Sequence, residues 1–310
     1  MNTQSNSFSE SLNKQTVTAA AMTSTRPFYW SVRRELWENR FVYLAPIGVA
    51  CAFLFGFIIS AFRLPGKVRG LSALDPLHYR EAIAVPYDIA AGLMMLVTIL
   101  VSVFYCVDAL HSERRDRSIL FWKSLPVSDT TTVLAKASIP LVVVPLLTFA
   151  IAIAMQFLML LVSSVVLLAN GLSVSNLWSQ LSFVQMSLLL LYHLLTAHTL
   201  WPAPVYCWLL LVSGWARRAV FLWAALPLIA IAGIEGIAFR TAHFAAMVAT
   251  RLIGGASNTT MSQPNVFPTN PMAHITPVEF LASPSLLIGL LLAAAFLAGA
   301  VWLRRNRGPI

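Results

Sequence analysis

Apolar residues in this chain gather into six long blocks, parted by shorter segments in which basic residues cluster. A helix rises about 1.5 Å per residue, so a hydrocarbon core about 30 Å thick takes roughly 20 apolar residues to cross. The blocks at 41–62, 88–110, 137–169, 181–213, 219–239 and 284–303 all meet that length. The third is longer than one crossing needs, and Pro140 and Pro145 predict a tilt or kink near its start. The fourth is overlong too and contains Pro202 and Pro204. It lacks the polar turn that two crossings would require, so it reads as one bent helix. Asn170, Gly171 and Asn176 mark the turn between the third and fourth crossings.

Two further segments read as helices that do not cross. Residues 28–41 interleave Trp30 and Trp37 with Arg33 and Arg34, a mixture suited to an amphipathic helix lying in the headgroup layer. Residues 241–253 are mildly apolar but carry His243 and Arg251 and are too short to span. They predict an interfacial or re-entrant segment between the fifth and sixth crossings. Residues 254–277, rich in Asn, Thr, Ser and Pro, read as an external loop. Residues 1–25 are rich in Ser, Thr, Asn and Gln and lack the apolar core of a signal peptide, which predicts a disordered cytoplasmic tail. Residues 26–310 then form one membrane domain.

Composition fits this pattern. Hydrophobic residues make up 58% of the chain and charged residues 11%, with a mean hydropathy of +0.75. A soluble domain carries about 25% charged residues to face water, so most of this surface must meet lipid. The expected fold is an all-α, polytopic membrane protein with six transmembrane helices. The formal charge of +9 forms no continuous basic stripe, which argues against a nucleic-acid partner. Fifteen of the 21 Lys and Arg residues lie before the first crossing, between the second and third, between the fourth and fifth, or after the sixth; Arg63, Lys67, Arg69, Arg80, Arg240 and Arg251 lie on the other side. The positive-inside rule then places both termini in the cytoplasm of a multi-pass inner-membrane protein. Cys51, Cys106 and Cys207 sit inside apolar runs without metal-ligand spacing and read as packing residues, so no metal site is expected.

The loop after the second crossing is the most informative stretch. Residues 113–125 can form a short helix stopped by Pro126, with Ile119, Trp122 and Leu125 on one face and Arg114, Arg115, Arg117 and Lys123 largely elsewhere. Ser128 and Asp129 follow as helix caps. Such a helix fits docking into a soluble partner. It equally fits a basic loop resting on lipid headgroups, and spacing alone leaves both readings open.

Here the chain resembles a known family. Glu113-Arg-Arg-Asp-Arg-Ser-Ile-Leu, then Leu125-Pro-Val-Ser-Asp, then Lys136 is similar to the pattern in permeases of ABC-2-type transporters. Those run Glu-basic, a small residue, Leu, a short gap, Leu-Pro-Val-Ser and a later Lys. Ser118 stands where many members have Gly. The resemblance extends over residues 26–307, because the amphipathic helix, six crossings and partly re-entrant segment follow the family arrangement. It implies that Glu113, Arg114, Arg115, Asp116, Arg117, Ser118, Ile119, Leu120, Trp122, Leu125 and Pro126 form a cytoplasmic coupling helix against an ABC ATPase subunit. It also implies a second permease copy or a homologous permease beside this one, embedded in the lipid bilayer. The expected role is the permease of an ATP-driven exporter. No Gly-x-x-x-x-Gly-Lys-Ser/Thr loop occurs, and Gly66-Lys67 is isolated. ATP and Mg would therefore belong to the partner, with no catalytic residue and no cofactor in this chain.

Three ionisable residues inside crossings are pathway candidates. Glu235, near the end of the fifth crossing, either meets substrate or is an interfacial carboxylate near Arg240. His193 and His198 either line a polar path or bond between helices. Two other classes fit less well. A secondary transporter would show internal repeats around midplane polar groups. An intramembrane protease would need paired groups, whereas Asp88 and Asp108 stand at opposite ends of one helix.

Overall fold

The computed structural model of the chain describes residues 26–71, 76–124, 127–253 and 277–307. The expected tail at 1–25, almost all of the expected loop at 254–277, and Leu125 and Pro126 lie outside the described residues. Among those described there is no strand. Six helices are long and apolar enough to cross a membrane, so the chain is an all-α polytopic membrane protein.

Helix α1 (Arg26–Glu38) leads into the first span, α2 (Phe41–Ala61). A short helix the sequence reading missed, α3 (Leu64–Leu71), precedes α4 (Pro76–Asp108), the second span. Helix α4 starts at Pro76 rather than near residue 88. Helical spacing persists through this more polar stretch, with Ile83 and Tyr87 sharing the buried face of Ala90, Ala91 and Met94. Two short helices follow, α5 (His111–Arg115) and α6 (Ser118–Ser124). The third span is α7 (Asp129–Ser138), a π-helical segment (Ile139–Val143) and α8 (Val144–Ala169). Together they run for 41 residues, about 61 Å, roughly twice the hydrocarbon thickness. The expected kink takes the form of that π-helical segment. Pro140 has no N–H to give the ladder, and the Val144 N–H reaches back to the Ile139 carbonyl.

The fourth span, expected as one bent helix, is instead broken into separate helices, with Trp201 and Pro202 standing in the break. After α9 (Ser175–Gln180) come α10 (Phe183–Leu195), a second π-helical segment (Thr196–Leu200) and α11 (Ala203–Trp215). The last spans are α12 (Val220–Phe239) and α15 (Pro284–Asn306), with α13 (His243–Ile253) and α14 (Pro277–Ala282) between them. Helix α13 occupies the segment expected to be interfacial or re-entrant.

Two apolar clusters hold the bundle. One joins Tyr87 and Met94 of α4, Met155 and Leu160 of α8, and Leu190 and Leu194 of α10. The other joins Val42, Tyr105, Cys106, Ile139, Tyr206 and Leu210. Ala90, Ala91 and Ala152 are fully buried, which lets helix backbones approach where lipid supplies no hydrophobic drive. Cys106 and Cys207 are buried and unpaired, as their apolar surroundings predicted, while Cys51 is exposed on α2.

Contacts sort the connections into two ends. At the end called proximal here, α1, the α5–α6 segment, the start of α7 and the last turn of α15 meet through ion pairs. The end of α11 joins them: Arg114 donates to the Gly214 carbonyl at 2.7 Å and Arg307 to the Trp215 carbonyl at 3.2 Å. The distal end holds the contact of Arg69 with the Asn170 carbonyl and the α12–α13 turn. Both described ends of the domain are therefore proximal, as an even number of crossings requires.

At the distal side, Arg251 of α13 closes the break in the fourth span. Val205 and Tyr206 both donate to the Pro202 carbonyl, which leaves the Trp201 carbonyl to Arg251 Nη1 at 3.2 Å. The guanidinium also lies 4.1 Å from the Trp201 ring centroid and bonds Ser285 Oγ at 2.9 Å. The Trp201 indole donates to the Thr250 carbonyl at 2.9 Å. Gly289 makes room for the guanidinium, since a Cβ there would stand 2.5 Å from Arg251 Nη1. Gly289→Val is expected to push Arg251 off Trp201 and cost about 1–3 kcal/mol, the usual range for overpacking. Thermal unfolding of the detergent-solubilised protein measures this; an unchanged midpoint would show that the clamp carries no stability.

Candidate functional site

Helix α1 turns Ser31 and Glu35 inward, four residues apart, with Val42 of α2 continuing the buried line. Its opposite face exposes Trp30 and Trp37, and the Arg33 guanidinium lies between their rings, 5.2 and 4.9 Å from the centroids. Arg34 points along the protein instead, its guanidinium 3.9 Å from the Trp122 ring centroid.

Glu35 enters a network in which four elements supply the charges and a fifth supplies a hydroxyl. Lys136 of α7 bonds Glu35 at 2.9 Å and Glu113 of α5 at 3.1 Å. Arg34 bonds the same two carboxylates at 2.7 and 3.2 Å. Arg304 of α15 pairs with Glu113 on one side and with Asp129 at 3.1 Å on the other. The Tyr105 hydroxyl of α4 donates to Glu35 Oε2 at 2.8 Å. Side-chain exposure is 1% for Glu35, 2% for Lys136 and 4% for Glu113, so solvent screens these pairs little. The network's four buried members, Glu35, Glu113, Lys136 and Arg304, are two carboxylates and two cations and balance one another; at the exposed edge Arg34 also meets Glu38 at 3.6 Å.

Neutrality explains why the network can be buried at all. An isolated ion in a low-dielectric interior costs several kcal/mol, recovered only when partners and hydrogen bonds are complete. Burial by itself would push the Glu35 carboxyl up, but the Lys136 ammonium and the Arg34 guanidinium outweigh it and hold the carboxyl below its ordinary value.

The local folding of the loop departs from expectation. The predicted single helix over 113–125 is two helices, because Arg117 takes a left-handed backbone (φ 57°) and the axis turns there. Glu113 and Arg114 are buried, committed to the network and to the α11 carbonyl. Ile119, assigned to a docking face, is buried inside the protein, and Trp122 is half-buried under Arg34. The open face of α6 carries Leu120 and Phe121 instead, beside exposed Arg115, Asp116, Arg117 and Lys123. Ser118 donates back to the Glu113 carbonyl at 3.4 Å. Ser128 caps α7 as predicted, accepting from the Thr131 N–H at 3.1 Å, while Asp129 pairs with Arg304.

The pathway candidates have no contact with this network, and Glu235 sits on a different span from His193 and His198. The Glu235 carboxylate accepts from Thr241 Oγ1 and from the His243 and Phe244 N–H groups, each at 2.8 Å. It caps the N-terminus of α13, with that helix rather than Arg240 as its partner. His193 bonds the Leu189 carbonyl at 2.9 Å within its own helix. His198 is buried, and its Nδ1 has no hydrogen-bond partner. Gln156, fully buried in α8, donates to the Tyr87 carbonyl at 3.4 Å. Among the described residues no group of three or more His, Cys, Asp or Glu side chains could hold a metal ion.

No protein-family model, no curated protein and no solved structure matches the chain.

Sequence reasoning missed Glu35 as the centre of the network and Arg304 as its closing member. A signal existed at Lys136, a lone charge between Ala135 and Ala137 at the head of an apolar run, which predicts a buried partner. Lys136→Met removes the buried cation shared by Glu35 and Glu113, leaving them to Arg34 and Arg304, and is expected to cost about 3–5 kcal/mol. Adding Glu35→Gln should recover part of that loss, and SDS-titrated unfolding of the single and double variants measures the coupling. Strict additivity would show that the two side chains act independently. Because the folded Glu35 carboxyl lies below its unfolded value, its contribution is complete above the unfolded range and is lost as pH falls through the folded one. Thermal midpoints should therefore hold from pH 7 to about 5 and decline below, with a shallower decline in Glu35→Gln.

Proposed function

We propose that this chain is the membrane-spanning permease of an ATP-driven ABC exporter of the ABC-2 type, and that the α5–α6 segment is its coupling element. The observation that carries the reading is the wiring of that segment. Its exposed face presents Leu120 and Phe121 among charged residues, while its buried face holds Glu113 and Arg114. Glu113 reaches α1, α7 and α15, and Arg114 reaches the end of α11. A force applied at Phe121 therefore passes through short charged contacts into four elements of the bundle. A loop that merely rests on headgroups has no need of such anchoring.

On this reading the proximal end faces the cytoplasm and an ATPase subunit supplies ATP and Mg. Helix α1 lies in the headgroup layer through Trp30, Arg33 and Trp37, and α13 is the re-entrant segment on the far side. A second copy or a homologous permease completes the transport unit. The capping of α13 by Glu235 favours a structural role for that carboxylate. His198, buried with one unpartnered ring nitrogen, is the better candidate to meet a passing substrate.

The test is purification of the native complex from membranes in mild detergent. The expected result is co-purification of an ATPase carrying a phosphate-cradling loop, lost in Leu120→Asp/Phe121→Asp and kept in Leu120→Ala/Phe121→Met. Isolation of an active transporter with no such subunit would overturn the proposal and favour a secondary transporter.

A further inference from the structure

A second feature of the proximal end lies outside the ion network. The turn between α11 and α12 and the end of α15 border an open pocket of about 580 Å³, lined by Trp215, Ala216, Arg217, Arg218, Trp223 and Arg307. Its volume falls within the roughly 300–1,000 Å³ of small-molecule sites. None of the six lining residues is acidic. The three carbonyls that end α11 already have partners: Gly214 takes Arg114, Trp215 takes Arg307, and Ala216 takes the His111 ring at 3.3 Å. Carbonyls orient these cations without neutralising them. Arg114 lies in the repulsive field of Arg307 and Arg217. Helix α12 also begins here, so the positive end of its macrodipole adds to the local potential.

We propose that this pocket binds the phosphate group of an anionic membrane phospholipid. Arg217 and Arg218 supply charge, and Arg307 supplies a fixed fork across the pocket. The shared chemistry is an organic or inorganic phosphate, and two observations favour the lipid. Trp215 and Trp223, edge to face at 5.1 Å, form the mouth, and both rings are exposed, as expected at headgroup depth. From Trp223 an open apolar strip runs along α12 through Leu226 and Ile229, a surface that acyl chains can follow while the headgroup stays in the pocket. This inference rests on the membrane-spanning fold alone and does not depend on an ATPase partner.

Native mass spectrometry of the full-length protein tests it, after equilibration with equimolar phosphatidylglycerol and phosphatidylcholine. The wild type should retain phosphatidylglycerol preferentially. Arg217→Gln/Arg218→Gln should lose that preference by roughly tenfold or more, and Arg217→Lys/Arg218→Lys should keep most of it. Both pairs leave the Arg307 and Arg114 contacts with the α11 carbonyls in place, and matched thermal midpoints confirm an intact fold. Equal retention of the two lipids by the wild type overturns the proposal, and so does a preference unchanged in the glutamine variant. Displacement of the lipid by millimolar inorganic phosphate overturns the lipid assignment and gives the pocket to a soluble anion. Should the glutamine pair fail to fold, wild-type lipid preference and its response to Arg218→Gln alone decide the matter.

Discussion

Four charged side chains, Glu35, Glu113, Lys136 and Arg304, are buried at one end of a bundle whose surroundings are lipid and apolar protein, and they can stay there only as a complete, neutral set edged by Arg34 and Asp129. That requirement dictates much else. Glu35 must face inward, so α1 must lie against the bundle with its tryptophans outward. Lys136 must sit at the level of Glu35 and Glu113, which fixes where the third span starts. Arg304 must arrive from the last turn of α15 to balance Glu113 and Asp129. Apolar packing between helices tolerates sliding, whereas short charged contacts between four elements do not. The network thus sets register where hydrophobic burial would leave it loose.

The two ends of the molecule solve different problems. The proximal end collects the charges that hold one arrangement of helices. The distal end repairs backbone that the fourth span leaves unpaired at Trp201, using a cation from a helix too short to cross. Between them lie two π-helical segments, at Ile139–Val143 and Thr196–Leu200, which are in contact with each other. Wide turns of this kind mark points where a long helix changes direction. The second separates Leu194 of one apolar cluster from Tyr206 of the other, while the first lies within the cluster that contains Ile139.

The legible part of this fold was whatever depends on length and hydropathy. Spans such as Phe41–Ala61 and Val220–Phe239 follow from uninterrupted apolar runs, and the prolines at 140 and 202 announce departures from regular helix. Boundaries in polar sequence were less legible. Helix α4 starts at Pro76, because an amphipathic stretch continues a helix as well as an apolar one does. The docking face was misplaced for a physical reason. A thirteen-residue helical projection puts Ile119 and Trp122 on one face, but the left-handed backbone at Arg117 rotates α6 away from that projection. Non-Gly residues adopt that conformation rarely, and no local pattern around Arg117 announces it. The ion network was invisible for another reason: Glu35, Glu113 and Arg304 are far apart in sequence, and each alone reads as an ordinary interfacial charge.

The network also sets an order on biosynthesis. Glu35, Arg34, Glu113, Asp129 and Lys136 are all made before Arg304, and until Arg304 arrives they carry one uncompensated negative charge. A chain made only through its fifth span can pair Glu113 with Arg34 and Lys136 but lacks the cation that joins Glu113 to Asp129. Closure awaits the sixth span. Arg304 is thus the member of the network made last, and Asp129 meets its cation only when the sixth span is complete.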